Sequence, residues 1–166
     1  KANIPELNDS NFKNPYMDLN RRKHSAKVMA GVLKDWNISR KDAAAALERG
    51  FEALADFRRN ISSKAQEIIA KAREEGKMII VLAGRPYHID KEINHGINKL
   101  ITGLGMAVVT EDSVCELGNM PELEVLNQWT YHSRMYRAAE YVTQNKDMQL
   151  VQLVSFGCGI DAITTD

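Results

Sequence analysis

Three short apolar runs, separated by segments of helical periodicity, make up much of the second half of the chain. The runs cover residues 78–83, 106–110 and 150–154, and each has the length of a buried strand. The segments between them predict helices over residues 91–103 and over about 121–143, where Pro121 suits a first turn. This β-α-β-α-β order predicts right-handed crossovers and a parallel sheet of about three strands.

The first half of the chain shows helical periodicity instead. Residues 1–22 are polar and aperiodic, and we expect them to form an irregular arm. Apolar residues then recur every three or four positions over 23–36 and 39–76, which predicts amphipathic helices. The spacing of Ser63 and Gln66 suits a capping box, which favours a break near residues 60–63 over one long helix. Core packing best explains this apolar stripe, and docking against another domain or a second copy is the alternative.

The predicted fold class is therefore α/β. We expect a three-layer, Rossmann-like domain over residues 77–166, with a short parallel sheet, preceded by a helical extension over residues 23–76. Because the sheet is small and residues 164–166 resemble a helix start, we expect the domain to be truncated at its C-terminus and the chain to belong to a longer protein.

Composition narrows the class of protein. The 22 basic and 22 acidic residues balance, so no overall field favours nucleic acid or an anionic membrane surface. No apolar run approaches the ~20 residues needed to span a bilayer, and the first residues lack the apolar segment of a signal peptide. Two cysteines are too few for a disulfide-stapled secreted scaffold, which favours a cytoplasmic location.

Reactive side chains gather in the loops that follow the three predicted strands. These loops read Gly84-Arg-Pro-Tyr-His88, Glu111-Asp-Ser-Val-Cys115 and Ser155-Phe-Gly-Cys-Gly159. The carboxyl ends of parallel strands lie at one edge of a sheet, which is where open α/β sheets bind their ligands. The sequence therefore predicts a ligand site built from all three loops.

The first two loops supply charged groups. Arg85 suits bidentate binding of phosphate or carboxylate, and His88 could transfer a proton or bind a metal. Glu111 and Asp112 could bond a ribose hydroxyl, a base or a metal. The alternative is structural: a rigid turn in which Arg85 pairs with one of these two carboxylates.

The third loop places a thiol, Cys158, between two glycines. This arrangement leaves room for a bulky ligand, and the neighbouring amides could lower the thiol pKa or bond to cluster sulfurs. An iron–sulfur cluster needs about four ligands, so one cysteine does not establish it. Cys115 is expected to be a structural thiol. A zinc site of His88, His95 and Cys158 matches no known zinc spacing. The absence of G-x-G-x-x-G and Walker A sequences ranks a nucleotide-binding enzyme last.

Three stretches together resemble a known family. They are VLAGRPYHIDKEINHGI at 81–97, GMAVVTEDSV at 105–114 and QLVSFGCGIDAITTD at 152–166. They are similar to bacterial proteins described as 2-hydroxyacyl-CoA (2-hydroxyglutaryl-CoA) dehydratase activators or activase-related proteins, in the region akin to the dehydratase subunits. The resemblance covers roughly residues 20–166. It implies anaerobic metabolism, an iron–sulfur cluster, low-potential electron transfer driven by ATP, and radical dehydration of a 2-hydroxyacyl-CoA.

The resemblance assigns roles to a few residues. Cys158 lies in an SFGCG-type motif and is the candidate cluster ligand, while Arg85, Tyr87, His88 and Asp112 match motif positions near the ligand. The ATP-binding part and the other cluster cysteines have no counterpart in this chain, so ATP would act only through a region absent here and the fragment alone would be inactive.

Expected partners are the rest of the parent chain and an acyl-CoA substrate or a partner dehydratase, with a homodimer as a further option; nucleic acid and membrane are not expected. The competing hypothesis is a non-catalytic binding or assembly module whose long helices mediate subunit contact.

Overall fold

The computed structural model describes residues 13–90, 92–123, 127 and 129–154. The chain divides into two compact units, one ending at Asp56 and the other beginning at Phe57. Within the described ranges, no helix combines the length and the apolar composition that crossing a membrane requires.

The first unit is helical. Helix α1 spans Arg22–Val32, and a 3-10 turn over Lys34–Trp36 follows it. Asn37 then adopts a left-handed conformation, with a φ of 57°, that ends this turn. The Ser39 hydroxyl accepts a hydrogen bond from the Asp42 backbone N–H at 3.1 Å, which is the N-cap expected at the start of the next helix.

Helix α2 runs without interruption over Arg40–Glu74, so the predicted break near residues 60–63 was wrong. The Gln66 side chain donates to the Ser62 carbonyl oxygen at 3.4 Å within the helix and does not cap a new one. No glycine or proline lies at 60–63 to interrupt the backbone. The helix ends two residues before Gly76, which terminates it as expected: its φ of 64° lets the Lys77 N–H bond to the Ala72 carbonyl oxygen.

The second unit contains a parallel sheet of three strands, which confirms the predicted fold class. Strands β1, β2 and β3 span Ile79–Ala83, Ala107–Thr110 and Met148–Gln152, in the order β2-β1-β3. All five residues of the central strand β1 are buried, as expected for a continuous apolar run covered on both faces. In register, Leu82 lies opposite Thr110 on one side and opposite Val151 on the other.

Helices cover both faces of this sheet and give the three predicted layers. On one face, helix α5 (Thr130–Thr143) and the later turns of α2 form a core with alternate strand residues. On the other face, helix α3 (Ile97–Gly103) packs its Ile101 against Ile80 and Leu82. The larger core consists of Ala65, Ile69, Ala72, Ile79, Val81, Val109, Val114, Cys115, Ala138 and Met148.

The helix predicted over residues 91–103 begins only at Ile97. Side-chain hydrogen bonds hold the preceding backbone in turns: Asp90 accepts from the Glu92 N–H at 2.9 Å, and Asn94 accepts from the Gly96 N–H at 2.9 Å. His95 and Gly96 both have positive φ values, 53° and 79°, which a helix cannot accommodate.

The helix predicted over about 121–143 begins at Thr130, and the described residues 121–123, 127 and 129 are not helical. The chain before them passes close to α5, because a Cβ atom on Gly118 would lie 2.1 Å from the Arg137 carbonyl oxygen. The buried face of α5 contains His132, Met135 and Ala138, whereas Trp129, just before the helix, is exposed.

Candidate functional site

The order of the strands identifies where a ligand site can form. From β1 the chain moves to β2 on one side, and from β2 it returns across β1 to β3 on the other side. The crevice between the carboxyl ends of β1 and β3 is therefore the point at which strand order reverses, where α/β sheets bind ligands. The loop that starts at Gly84 and residues 153–154 border this crevice.

The loop after β1 is a short, internally bonded turn. Pro86–Ile89 forms a 3-10 helix, and the Arg85 backbone N–H donates to Nδ1 of His88 at 3.1 Å. A nitrogen that accepts a hydrogen bond carries no proton, so neutral His88 holds its hydrogen on Nε2. The Tyr87 ring packs edge-on against the imidazole, with 4.4 Å between ring centroids. These contacts fix the orientation of the imidazole ring.

Gly84 joins this loop to the end of β3. A Cβ atom at Gly84 would lie 2.7 Å from Nδ1 of His88 and 3.1 Å from the Leu153 carbonyl oxygen, so the contact requires glycine. The Leu153 N–H in turn donates to the Ala83 carbonyl oxygen at 2.8 Å. The start of the first predicted loop therefore lies beside Leu153, the residue that follows β3.

The second loop begins a short helix, α4 (Glu111–Val114), directly after β2. Glu111 is only 1% exposed, and its Oε1 lies 2.7 Å from Nη2 of Arg134 on α5. The other carboxylate oxygen has no hydrogen-bond partner within the described part of the chain. Burial raises the pKa of Glu111 to about 7, and the nearby Arg134 cation offsets only part of that effect. Glu111 can therefore exchange a proton near neutral pH.

The remaining polar groups of this loop bond to their own backbone turn. Asp112 accepts a hydrogen bond from the Thr110 hydroxyl at 2.5 Å, and the Ser113 hydroxyl donates to the Thr110 carbonyl oxygen at 2.7 Å. Cys115 is 2% exposed, and burial raises the pKa of its thiol to about 11. These features are those of an unreactive structural thiol, as expected.

The sequence-predicted residues fall into two groups at one edge. Arg85, Tyr87 and His88 follow β1, while Glu111 and Asp112 follow the adjacent parallel strand β2. Cys158, the candidate cluster ligand, lies outside the described residues, as does the rest of the loop over 155–159.

No sequence pattern singled out Arg134, the ion-pair partner of Glu111. The nearest indication in the sequence was the position of Arg134 on the predicted helix, next to the apolar residue Met135.

The described residues do not form a metal or cluster site by themselves. Among them, no group of three or more His, Cys, Asp and Glu side chains is placed to hold a metal ion. His95, weighed above as a zinc ligand, is exposed in the left-handed turn before α3. The described thiol, Cys115, is buried and stays protonated at neutral pH.

A cleft of about 290 Å³ opens beside the ends of β1 and β2, on the face covered by α3. Its polar lining consists of Asn94, Asn98, Thr102 and Thr110, which are neutral hydrogen-bonding groups. The buried Asn94 side chain is held by the Gly96 N–H and lies 3.5 Å from Asn98 Oδ1. The cleft suits an uncharged polar group and offers no charge for an anion.

A model of the protein family described as CoA enzyme activase uncharacterised domain (DUF2229) matches residues 1–114. The chain belongs to this family. No curated protein and no solved structure matches it. The activase-family match includes the loop Gly84–His88 and the residues Glu111–Val114, and it ends before Cys115, α5 and β3. The resemblance to activase-related proteins is thereby confirmed.

Proposed function

We propose that this activase-family domain contributes the carboxyl edge of its sheet to an iron–sulfur electron-transfer site in a larger protein. Cys158 would be one cluster ligand, and the parent protein would serve ATP-driven radical dehydration of a 2-hydroxyacyl-CoA, or a related reduction, in an anaerobic cytoplasm. ATP would act through a region outside this chain. The observation that carries the proposal is the contact between Gly84 and Leu153 at the point where strand order reverses.

Chain connectivity supports the position assigned to Cys158. Leu153 is hydrogen-bonded beside Ala83, and Val154 is the last described residue of that segment. Cys158 lies four positions after Val154 in the sequence, and a fully extended chain of that length reaches at most about 14 Å. A ligand bound to Cys158 therefore has a short path to the loop Gly84–His88.

The loop Gly84–His88 offers groups that would suit the surroundings of a cluster. Arg85 carries a fixed positive charge, and neutral His88 carries a hydrogen on Nε2 because its Nδ1 accepts the Arg85 N–H. Positive charge and hydrogen bonds near the cluster sulfurs raise the reduction potential of the cluster. Since the described residues hold no cluster alone, the remaining ligands would come from elsewhere in the parent protein or from a second subunit.

The test uses the full-length parent protein, purified without oxygen. Iron and acid-labile sulfide content, together with visible absorption, are compared between the wild type and Cys158→Ser, with Cys115→Ser as the matched control. Loss of cluster in Cys158→Ser alone supports the proposal. Equal cluster content in all three proteins would refute a ligand role for Cys158 and leave the domain as a scaffold.

The exposed aromatic ring on α2 favours a second candidate, a non-catalytic assembly module. Phe57 is 55% exposed on this long helix, although it lies within the apolar stripe that predicted core packing. In an assembly module this ring would contact another subunit. Sedimentation of the chain and of its Phe57→Ser variant tests the idea, because a dimer that dissociates in the variant supports it and a monomeric wild type contradicts it.

A further inference from the structure

A concave surface in the first unit collects positive charge. It is a groove of about 590 Å³ at the start of α1 and of α2. Its volume falls in the range of small-molecule sites. This surface, here called the basic groove, is lined by Arg21, Arg22, Lys23, His24, Lys27 and Arg40.

Most of this charge lacks a nearby counter-charge. Arg22 pairs with Glu48 at 2.6 Å and lies over the Phe51 ring at 4.2 Å, so it is committed to holding α1 against α2. Across the residues that the structure describes, Arg21, Lys23, Lys27 and Arg40 take part in no ion pair. Four cations therefore face one groove, and an anion bound there would relieve their mutual repulsion.

Two carboxylates nearby in the sequence, Asp18 and Asp42, accept hydrogen bonds from neutral groups. Asp18 accepts a hydrogen bond from the Asn20 backbone N–H at 3.0 Å. Asp42 accepts from the Ser39 hydroxyl at 2.6 Å. Neither forms an ion pair with a groove cation within the described ranges.

The backbone adds to the same potential. Helix α1 starts at Arg22 with no acidic residue in its first turn and no side-chain cap. Cations at a helix N-terminus are unfavourable because the helix dipole already places positive charge there. The groove side chains and the helix dipole are both positive here, so the local sequence favours an anionic ligand and lowers the stability of the helix.

We propose that the basic groove binds the phosphate groups of a nucleotide-sized polyphosphate ligand. Adjacent phosphates carry several negative charges within the span of the groove, and lysine and arginine are their usual partners. A nucleic acid fits less well. The groove lining contains no phenylalanine, tyrosine or tryptophan on which bases could stack, and the chain as a whole has no net charge to attract a long polyanion. The site lies in the first unit and does not depend on the function proposed for the sheet edge.

Isothermal titration calorimetry of the full chain with inorganic tripolyphosphate, ATP and coenzyme A tests this proposal. The double variant Lys23→Gln/Lys27→Gln removes two exposed groove cations, and Lys34→Gln/Lys64→Gln removes the same charge outside the groove. We expect the groove variant to weaken binding by about tenfold or more and the control to change it by less than about twofold. Added salt should weaken wild-type binding more than binding to the groove variant.

The three ligands separate the sources of phosphate. Tripolyphosphate binding as tightly as ATP would show that the phosphates alone are recognised, while tighter binding of ATP or of coenzyme A would identify the ligand that carries them. Absence of binding by all three, or an equal loss in both double variants, would refute the proposal. A single-stranded oligonucleotide that binds more tightly than all three, with affinity rising with its length, would also refute it. Far-UV circular dichroism checks that both variants keep their helices.

Discussion

Glu111→Gln tests how the buried carboxyl group at the end of β2 couples stability to pH. Burial raises the pKa of Glu111 from 4.5 to about 7, with partial compensation by Arg134. Between these two pH values the folded chain keeps a proton that the unfolded chain has lost. The contribution of this group to stability is therefore complete below about pH 4.5 and is lost as the pH rises through about 7.

The size of the effect follows from the two pKa values. The interval from 4.5 to about 7 corresponds to about 3 kcal/mol of unfolding free energy. Glutamine has nearly the same shape as glutamate and does not ionise, so the variant should lose this pH dependence. Its unfolding free energy, relative to the wild type, should rise by about 3 kcal/mol between about pH 4 and about pH 8.

Urea unfolding followed by circular dichroism measures this difference at several pH values, and subtraction of the wild-type curve removes the contribution of other groups. Glu122→Gln is the matched control, because Glu122 is an exposed carboxylate of the same unit. The reasoning fails if the difference between Glu111→Gln and the wild type is the same at every pH, or if it falls as the pH rises.

Arg134→Met completes the test from the other side of the ion pair. Without the guanidinium, the carboxylate of Glu111 would be buried and uncompensated, which costs about 3–5 kcal/mol when it is charged. The variant should therefore lose much more stability at about pH 8 than at about pH 5, where Glu111 is protonated. Equal losses at both pH values would mean that Arg134 acts through packing of its aliphatic part alone.

Three further outcomes follow from other contacts. Gly84→Ala should lower the unfolding free energy by about 1–3 kcal/mol, because its Cβ would crowd a backbone oxygen at 3.1 Å. Gly50→Ala in helix α2, whose Cβ would have nothing within 4 Å, should instead raise the unfolding free energy by up to about 1 kcal/mol. Changes of equal sign in thermal unfolding would contradict the steric argument. Arg73→Met should lower the unfolding free energy by about 0.5–1 kcal/mol at neutral pH and hardly change it at about pH 2. The hydrogen bond from Arg73 lowers the pKa of Asp147, so the contribution of this partly exposed pair is lost as the pH falls through that pKa. Urea titrations that show an equal loss of stability at both pH values would refute this reasoning. Cys115 should resist iodoacetamide at about pH 8 until urea unfolds the chain, because burial raises its pKa to about 11, and rapid labelling of the folded chain in peptide mapping would show the thiol to be accessible.

The sheet was predictable because each strand is a local pattern. Met78–Ala83 is a continuous apolar run ended by Gly84, and such a run requires cover on both faces wherever the chain places it. Because all three strands are separated by helical segments, parallel pairing with right-handed crossovers was the expected solution. The convergence of the first two loops at one edge then followed from the direction of the strands alone.

The helix boundaries were predicted less well because side-chain bonds to the backbone compete with helical periodicity. Asp90 and Asn94 hold the chain in turns over residues that an apolar pattern alone assigns to a helix. The spacing of Ser63 and Gln66 led to the opposite error, because it predicted the start of a new helix where one continuous helix keeps every backbone bond. Tertiary packing of Ala65, Ile69 and Ala72 favours the continuous helix over a broken one.

The pairing of Glu111 with Arg134 depends on a part of the chain beyond the family match. Glu111 lies within the matched residues 1–114, whereas its partner lies on α5, 23 positions later. The same holds for the core, since Ala138 of α5 and Met148 of β3 belong to one buried cluster with Ile79 and Val109, and β3 supplies the second neighbour of β1. Residues 1–114 alone would leave the apolar central strand open along one side and the Glu111 carboxyl group without its cation. The physical unit that builds the candidate site therefore extends at least to β3.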